Sequence, residues 1–276
     1  MSAAEVAPSG LFASWSAARA YLQVAQIAAK QTLSHRGALF AMVVFYFTVL
    51  LVFSRLWSIV MAAGHLPDWR PADLVWYLAI TEWVVLSLPP IHVDITADVQ
   101  SGDIAYHLTR PLSYAGARLA EAAGTAVVRM IALAVAGSAL VPVLTGTLPR
   151  DPFAVAVAFP LALLAAAVLL TYQTVIGLSA LWLRDAAPLA WLWQKLMFCF
   201  GGLLLPLDIY PEWLRAACEW TPFAAALYGP GRLAFGLAAA EPLVTVCLLL
   251  AWGGVGLLLV SGTFHRGLRV LDIGGG

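Results

Sequence analysis

Long apolar stretches alternate with short polar connections along most of this 276-residue chain. A bilayer core about 30 Å thick needs about 20 mostly apolar helical residues, because unpaired backbone groups cannot face hydrocarbon. Six stretches meet that requirement: 38–61, 72–90, 119–147, 152–183, 188–207 and 242–264. The pattern therefore predicts an all-α polytopic membrane protein with six transmembrane helices in a single domain, 1–276.

The segment before the first span, 14–36, repeats with a helical period. Its polar stripe consists of Arg19, Gln23, Gln26 and Lys30, and its apolar stripe consists of Leu22, Ala25, Ala29 and Leu33. Such a helix suits the inner membrane surface, where the apolar stripe faces the acyl chains. We predict an amphipathic interface helix here. The alternative is a soluble helix packed on the cytoplasmic loops.

A charged segment, 92–113, separates the second and third spans. Apolar Ile91, Ile95 and Val99 recur every four residues, and Asp94 and Asp98 form a polar flank beside them. This periodicity predicts a short amphipathic helix. A compact knob of this kind suits the transmission of force from a soluble partner to the membrane bundle. An ordinary solvated connection is the alternative.

The end of this short helix is marked by Ser101-Gly102, since glycine favours the turn that follows a helix. Arg110 precedes a proline and is therefore disfavoured in a helix, whereas Pro111 suits the first turn of the next one. The segment thus reads as a short helix, a turn and a return to the membrane.

Glycines and prolines interrupt the chain between the fifth and sixth spans, at Gly201, Gly202, Pro206, Pro211, Pro222 and Pro230. They forbid one continuous helix. The pieces between them are too short to cross a bilayer, so we predict two short helices that dip into the outer leaflet over 201–236. The alternative is an irregular external loop.

Two charged residues fall inside predicted spans, Glu82 and Lys195. A charge at that depth costs about 2.5 to 3.5 kcal/mol on insertion scales, so each should face protein or water. Lys195 lies among Trp191, Gln194 and Phe198, a mixture of aromatic and polar groups that could line a path for amphipathic cargo. Alternatively, Lys195 reaches the interface or pairs with Glu82.

Composition agrees with a membrane location, since 62% of residues are hydrophobic and 11% are charged. Fifteen basic and fifteen acidic residues cancel, so no basic field indicates nucleic acid. Cytoplasmic loops carry the excess of Lys and Arg. One side collects Arg19, Lys30, Arg36, Arg110, Arg118, Arg184, Arg266 and Arg269, and the other collects Arg70, Arg150, Arg215 and Arg232. This bias places both termini in the cytoplasm.

Motifs for covalent chemistry are absent from the sequence. It contains no G-x-x-x-x-G-K-[ST] phosphate loop, no H-E-x-x-H and no Gly-x-Ser-x-Gly, and its three cysteines have no metal-ligand spacing. We therefore expect no cofactor or metal in this chain and no enzyme activity. A non-transporting membrane scaffold and, less favoured, an intramembrane enzyme remain the alternatives to a transporter.

The stretch "SGDIAYHLTRPLS", 101–113, resembles the cytoplasmic signature of ABC-2 type permeases, the membrane subunits of a class of ATP-binding-cassette exporters. The matching positions are Gly102, Asp103, Leu108, Arg110 and Pro111. The interrupted stretch 201–236 resembles the external hairpin of these permeases, and the ending "RVLDIGGG" resembles their basic terminal segment.

The resemblance implies an exporter permease in the bacterial cytoplasmic membrane that forms half of a pathway with a second permease, identical or related. Two separate ATPase subunits would bind ATP and Mg. The segment 92–113 would be the coupling segment, with contacts at Asp94, Ile95, Asp98, Val99, Gly102, Asp103, Leu108, Arg110 and Pro111. The stretch 201–236 would form a lid with hinges at Gly201, Gly202 and Pro206. Cargo would be hydrophobic or amphipathic: a lipid, drug or peptide.

Overall fold

The computed structural model describes residues 15–63, 70–109 and 111–274, and within them every regular element is helical. The first six α-helices are α1 (Trp15–Ser34), α2 (Arg36–Ala62), α3 (Pro71–Ser87), α4 (Ile91–Ser101), α5 (Asp103–Leu108) and α6 (Tyr114–Thr145). They are followed by α7 (Pro152–Leu178), α8 (Ala180–Leu183), α9 (Ala187–Phe200), α10 (Glu212–Glu219), α11 (Pro222–Ala226), α12 (Tyr228–Gly231) and α13 (Pro242–Gly274). Three short 3₁₀ turns lie between α9 and α13.

Five helical stretches in the described residues are long and apolar enough to cross a membrane. They are Arg36–Ala62, Pro71–Ser101, Tyr114–Thr145, Pro152–Leu183 and Pro242–Arg269. The all-α architecture of an integral membrane protein is thereby confirmed. The count of six spans is not, because the expected fifth span, 188–207, corresponds to the shorter helix α9.

Helix α9 has 14 residues, which at 1.5 Å per residue gives a length of about 21 Å. This is less than the thickness of a bilayer core, about 30 Å. The helix ends at Phe200 because Gly201 and Gly202 follow, and Gly202 takes a left-handed conformation with φ of 66°. The sequence prediction missed this early end, since the apolar run itself continues to residue 207.

Helices α2, α3, α6 and α7 alternate in direction. Helix α13 instead runs parallel to α7, since Gly253, Gly256 and Gly267 lie in turn against Val168, Thr171 and Leu181. The loops therefore gather at two ends of the bundle. We call the end that carries α4 and α5 the inner end. The opposite end carries residues 201–241 between α9 and α13, which we call the broken segment, and this is the outer end. A hydrogen bond at the outer end links the broken segment to the loop before α7: the Leu237 N–H donates to the Asp151 carboxylate at 3.2 Å.

The same Asp151 carboxylate also accepts the N–H groups of Phe153 and Ala154 and caps the start of α7. The backbone donors of Ala154, Leu237 and Phe153 lower the pKa of the Asp151 carboxyl below its usual range. The carboxylate therefore stays ionised at neutral pH and holds the broken segment against the bundle.

Helix α1 packs along α6. Ala28 on α1 is buried, and a Cβ atom at Gly124 of α6 would lie 2.0 Å from the carbonyl oxygen of Ala25, so only glycine permits this approach. Leu22 and Leu33 remain more than half exposed on the side away from α6. The amphipathic helix thus exists in the described part of 14–36, while its contact with the membrane surface stays a prediction.

Helix α3 is the most enclosed of the long helices, and the broken segment packs against its outer half. Tyr77 donates a hydrogen bond to the Gly202 carbonyl, and Thr81 donates to the Leu203 carbonyl at 2.7 Å. The Tyr77 ring also stacks on Phe235 with ring centroids 5.7 Å apart. These contacts seat the broken segment within the bundle.

Candidate functional site

The short amphipathic helix predicted within 92–113 exists as α4, and its role in coupling stays a prediction. Ile91 and Ile95 are buried and Val99 is partly buried, as their four-residue spacing predicts. Gly102 ends the helix in a left-handed conformation with φ of 81°. The short helix α5 follows and buries Ile104.

A glycine on α7 determines how closely α4 approaches the bundle. A Cβ atom at Gly177 would lie 2.8 Å from the Ile95 Cβ and 3.0 Å from the His92 Cα. Both distances are shorter than atoms tolerate without movement. Gly177 therefore allows the buried face of α4 to lie directly on α7.

Asp98 does not present its carboxylate to the surface, which corrects the expectation that it is free to pair with a partner protein. It is 9% exposed. Its carboxylate accepts hydrogen bonds from the Tyr114 hydroxyl and from the Arg118 guanidinium, whose Nε lies at 2.9 Å. Arg118 also pairs with Glu121 at 2.8 Å. Asp98 thus fastens α4 to the start of α6.

The opposite face of α4 and the outward side of α5 are exposed at the inner end. We call this the inner surface, and its exposed residues are Val93, Asp94, Ala97, Gln100, Asp103, Tyr106 and Leu108. It mixes apolar side chains with two acidic ones. Pro111, also exposed, follows α5, whereas Arg110 lies outside the described residues.

A second inner segment adjoins the inner surface. The Gln100 side chain donates a hydrogen bond to the Arg184 carbonyl at 2.8 Å. Arg184 lies between α8 and α9 in a left-handed conformation, φ 60°, which is uncommon for a residue with a side chain. The loop 184–186 and α4 therefore form one continuous face.

The predicted pathway residues are divided between the core and the surface. Glu82 is buried on α3, 7% exposed, whereas Trp191, Gln194 and Lys195 are exposed on α9. The Lys195 ammonium lies 5.2 Å from the Trp191 ring centroid and 5.7 Å from that of Phe198. Among the described residues no ion pair joins Lys195 to Glu82.

A cavity of about 370 Å³ lies beside this group, between the α3–α4 junction, α7 and α9. It is lined by His92, Gln173 and Trp193. The side chains of His92 and Gln173 are hydrogen-bond neighbours, and the buried indole nitrogen of Trp193 has no partner in the described structure. Sequence reasoning did not connect these residues, because they come from three separate segments with no common motif.

The predicted lid hinges lie where α9 ends. A Cβ atom at Gly201 would lie 2.4 Å from the Met197 carbonyl oxygen, and one at Gly202 would lie 2.9 Å from the Tyr77 hydroxyl. Pro206 precedes the first 3₁₀ turn. All three residues are buried, so the start of the broken segment lies against the bundle in this conformation.

A comparison with models of protein families matches residues 39–275 of this chain to the family described as "ABC-2 family transporter protein". The match covers most of the chain, including α4, α5 and the broken segment. No curated protein matches the sequence.

Proposed function

Because this chain belongs to the ABC-2 family of transporter proteins, we propose that it is the permease subunit of an ATP-driven exporter. In this proposal it forms half of the translocation pathway, beside an identical or related permease, in the bacterial cytoplasmic membrane. Both termini lie in the cytoplasm, as the distribution of Lys and Arg favours. Two separate ATPase subunits bind ATP and Mg.

The observation that carries the proposal is the inner surface. A short amphipathic helix buries Ile91 and Ile95 and exposes Val93 and Ala97 beside acidic residues at the end of a membrane bundle. Exposed apolar side chains rimmed by polar ones are typical of a surface that binds another protein. The adjoining loop at Arg184 extends the contact area.

The connections of α4 explain how a push from the ATPase would reach the spans. Ile95 rests on α7 at Gly177, and Asp98 holds α6 through Arg118. The backbone passes from α3 into α4 through residues 88–90, where the Arg129 side chain donates to the Leu88 carbonyl at 3.2 Å. Movement of α4 would therefore shift α3, α6 and α7 together, as rocking between inward-facing and outward-facing states requires.

For the cargo, we propose a hydrophobic or amphipathic molecule that passes along the exposed face of α9. Trp191 supplies an apolar surface, and Gln194 and Lys195 supply polar groups beside it. The second permease would close this face from the other side. Within this chain the broken segment would act as the outer lid, moving about Gly201, Gly202 and Pro206.

Affinity isolation from the native membrane tests the proposal. The tagged chain is extracted in mild detergent, and its stoichiometric partners are identified by mass spectrometry. We expect a chain with a nucleotide-binding phosphate loop, together with this permease or a related one. Isolation of the intact membrane protein without any ATP-binding chain, under conditions that preserve other membrane complexes, would favour a scaffold instead.

A further inference from the structure

A cavity of about 310 Å³ opens at the outer end between the broken segment and the start of α13. Its polar lining includes Arg215, Glu219, Tyr228, Arg232 and Glu241. The volume is at the lower limit for sites that enclose a small molecule, about 300 Å³. It therefore suits the polar part of a ligand whose remainder lies outside.

The two arginines in this cavity are in different electrostatic states. Arg215 is neutralised by Glu219 at 2.7 Å and lies 3.4 Å from Asp208. Arg232 has no ion pair among the described residues, and its Nε atom is buried without a hydrogen-bond partner. A buried guanidinium donor without an acceptor is costly, so an anion supplied from outside would stabilise it.

Tyr228 provides a second donor at the same place. The Arg232 guanidinium lies 5.5 Å from the centroid of its ring, the side chain is 6% exposed, and its hydroxyl has the Asp208 carboxylate as a hydrogen-bond neighbour. Burial and the nearby Asp208 carboxylate raise the pKa of Tyr228 above its ordinary value. The hydroxyl therefore stays protonated, and it reaches an incoming anion by turning from Asp208.

The surroundings of the cavity indicate an amphipathic ligand. Trp213 on α10 and Trp220 directly after it are each 74% exposed, and such tryptophans are enriched at the depth of lipid headgroups. From the same cavity, Val244 and Leu248 begin an apolar track along α13. Val244 is half exposed. An anionic group at Arg232 would thus have a place for an acyl chain beside it.

We propose that this cavity binds the phosphate of an amphipathic molecule, with Arg232 as the principal ligand and the Tyr228 hydroxyl as a second donor. A guanidinium fork matches phosphate oxygens in geometry and charge. The exposed carboxylate of Glu241, at the rim, favours headgroups that also carry an ammonium or hydroxyl group. The site goes beyond the transport proposal, since it holds for a resident phospholipid as well as for a cargo.

Lipid binding to the purified full-length chain tests the site. Native mass spectrometry in detergent measures the binding of phosphatidylethanolamine, of diacylglycerol as the probe without phosphate, and of glycerol phosphate as the probe without acyl chains. We expect phosphatidylethanolamine to bind best, and Arg232→Gln to weaken it about tenfold, the loss of one charge-assisted contact. Tyr228→Phe should weaken it by about threefold.

Arg55→Gln is the matched control, because Arg55 is an exposed arginine near the outer end of α2, outside this cavity, and it should leave binding unchanged. If Arg232→Gln does not yield a monodisperse protein, Arg232→Lys and Tyr228→Phe carry the test.

Equal binding of diacylglycerol and phosphatidylethanolamine, or an equal loss of binding in Arg55→Gln, would overturn the site. If glycerol phosphate bound as tightly as the lipid, the inference that the ligand is amphipathic would be wrong. Dissociation of a permease dimer by Arg232→Gln, without any lipid binding to the unmodified chain, would assign Arg232 to a subunit contact instead.

Discussion

The inner surface and the broken segment are both built from helices too short to span a bilayer, but they differ in how far they are buried in the bundle. At the inner end, α4 lays one face on α7 and leaves the other exposed. At the outer end, α11 and α12 are buried almost completely, and two carbonyls of the broken segment accept hydrogen bonds from α3.

The difference shows that a polar, helix-breaking sequence does not by itself determine exposure. The inner charge Asp98 is satisfied by Arg118 within the chain, so α4 can leave a mixed surface for a soluble partner. In the broken segment, the Nε atom of Arg232 is a buried donor without a partner in the described part of the chain. In our proposals the inner end therefore binds a protein, and the outer end binds a small anionic group.

The largest loss of stability is expected from Arg118→Met. Removing the guanidinium leaves the Asp98 carboxylate buried without a cation, a change that costs about 3 kcal/mol or more in comparable pairs. Thermal unfolding in detergent should show a clear fall in Tm. The double variant with Asp98→Asn should recover part of the loss, because the uncompensated charge is gone.

Glu121→Gln is the control for that pair, since it removes the other, more exposed carboxylate on Arg118. A surface ion pair of this kind contributes at most about 1 kcal/mol. If Glu121→Gln lowered the Tm as far as Arg118→Met, the buried contact with Asp98 would not be what fastens α4.

A somewhat smaller effect, about 1 to 3 kcal/mol, is expected from Gly177→Val. The added side chain would collide with Ile95 and His92 and lift α4 from α7. We expect ATP hydrolysis to lose its dependence on cargo in reconstituted complexes, and Ile95→Ala to restore part of it. Gly254→Val on α13, where a Cβ atom meets nothing within 4 Å, is the matched control.

At the outer end, Gly202→Ala should cost more than Gly146→Ala, although both residues have nearly the same φ, 66° and 68°. The left-handed conformation alone costs about 1 kcal/mol for alanine. At Gly202 the new Cβ would also lie 2.9 Å from the Tyr77 hydroxyl, whereas at Gly146 it meets open space. Equal Tm values for the two variants would contradict the tight seating of the broken segment.

The smallest change in stability, within about 0.5 kcal/mol, is expected from Ala97→Arg, because Ala97 is exposed. Its effect should appear in function instead, as a loss of the ATPase from the isolated complex. Gln26→Arg, an exposed position on α1, adds the same charge at the same end of the bundle. It should retain the ATPase.

The sequence was sufficient for features that depend on local periodicity and on special residues. The four-residue spacing of Ile91, Ile95 and Val99 predicted α4, and Gly102 predicted its end. The glycines and prolines after residue 200 predicted the interruption that the broken segment shows.

Features that depend on contacts between distant segments could not be predicted in this way. Asp98 and Arg118 are 20 residues apart, and nothing in their spacing indicates that they pair. Likewise, the need for glycine at Gly124 follows only from the close contact with α1, which the sequence does not show. The length of α9 was overestimated because hydrophobicity continues past the glycines that end the helix.

The central claim, that the inner surface docks on an ATPase, is tested most directly by photo-crosslinking in native membranes. A photoreactive phenylalanine is placed at Ala97 or, as the control, at Val135 on α6, which is 66% exposed, and the trapped proteins are identified by mass spectrometry. We predict that the Ala97 position captures a chain with a nucleotide-binding phosphate loop and that the Val135 position does not. Capture of that chain from Val135 but not from Ala97, or capture of only lipid and this permease from Ala97, would contradict the account.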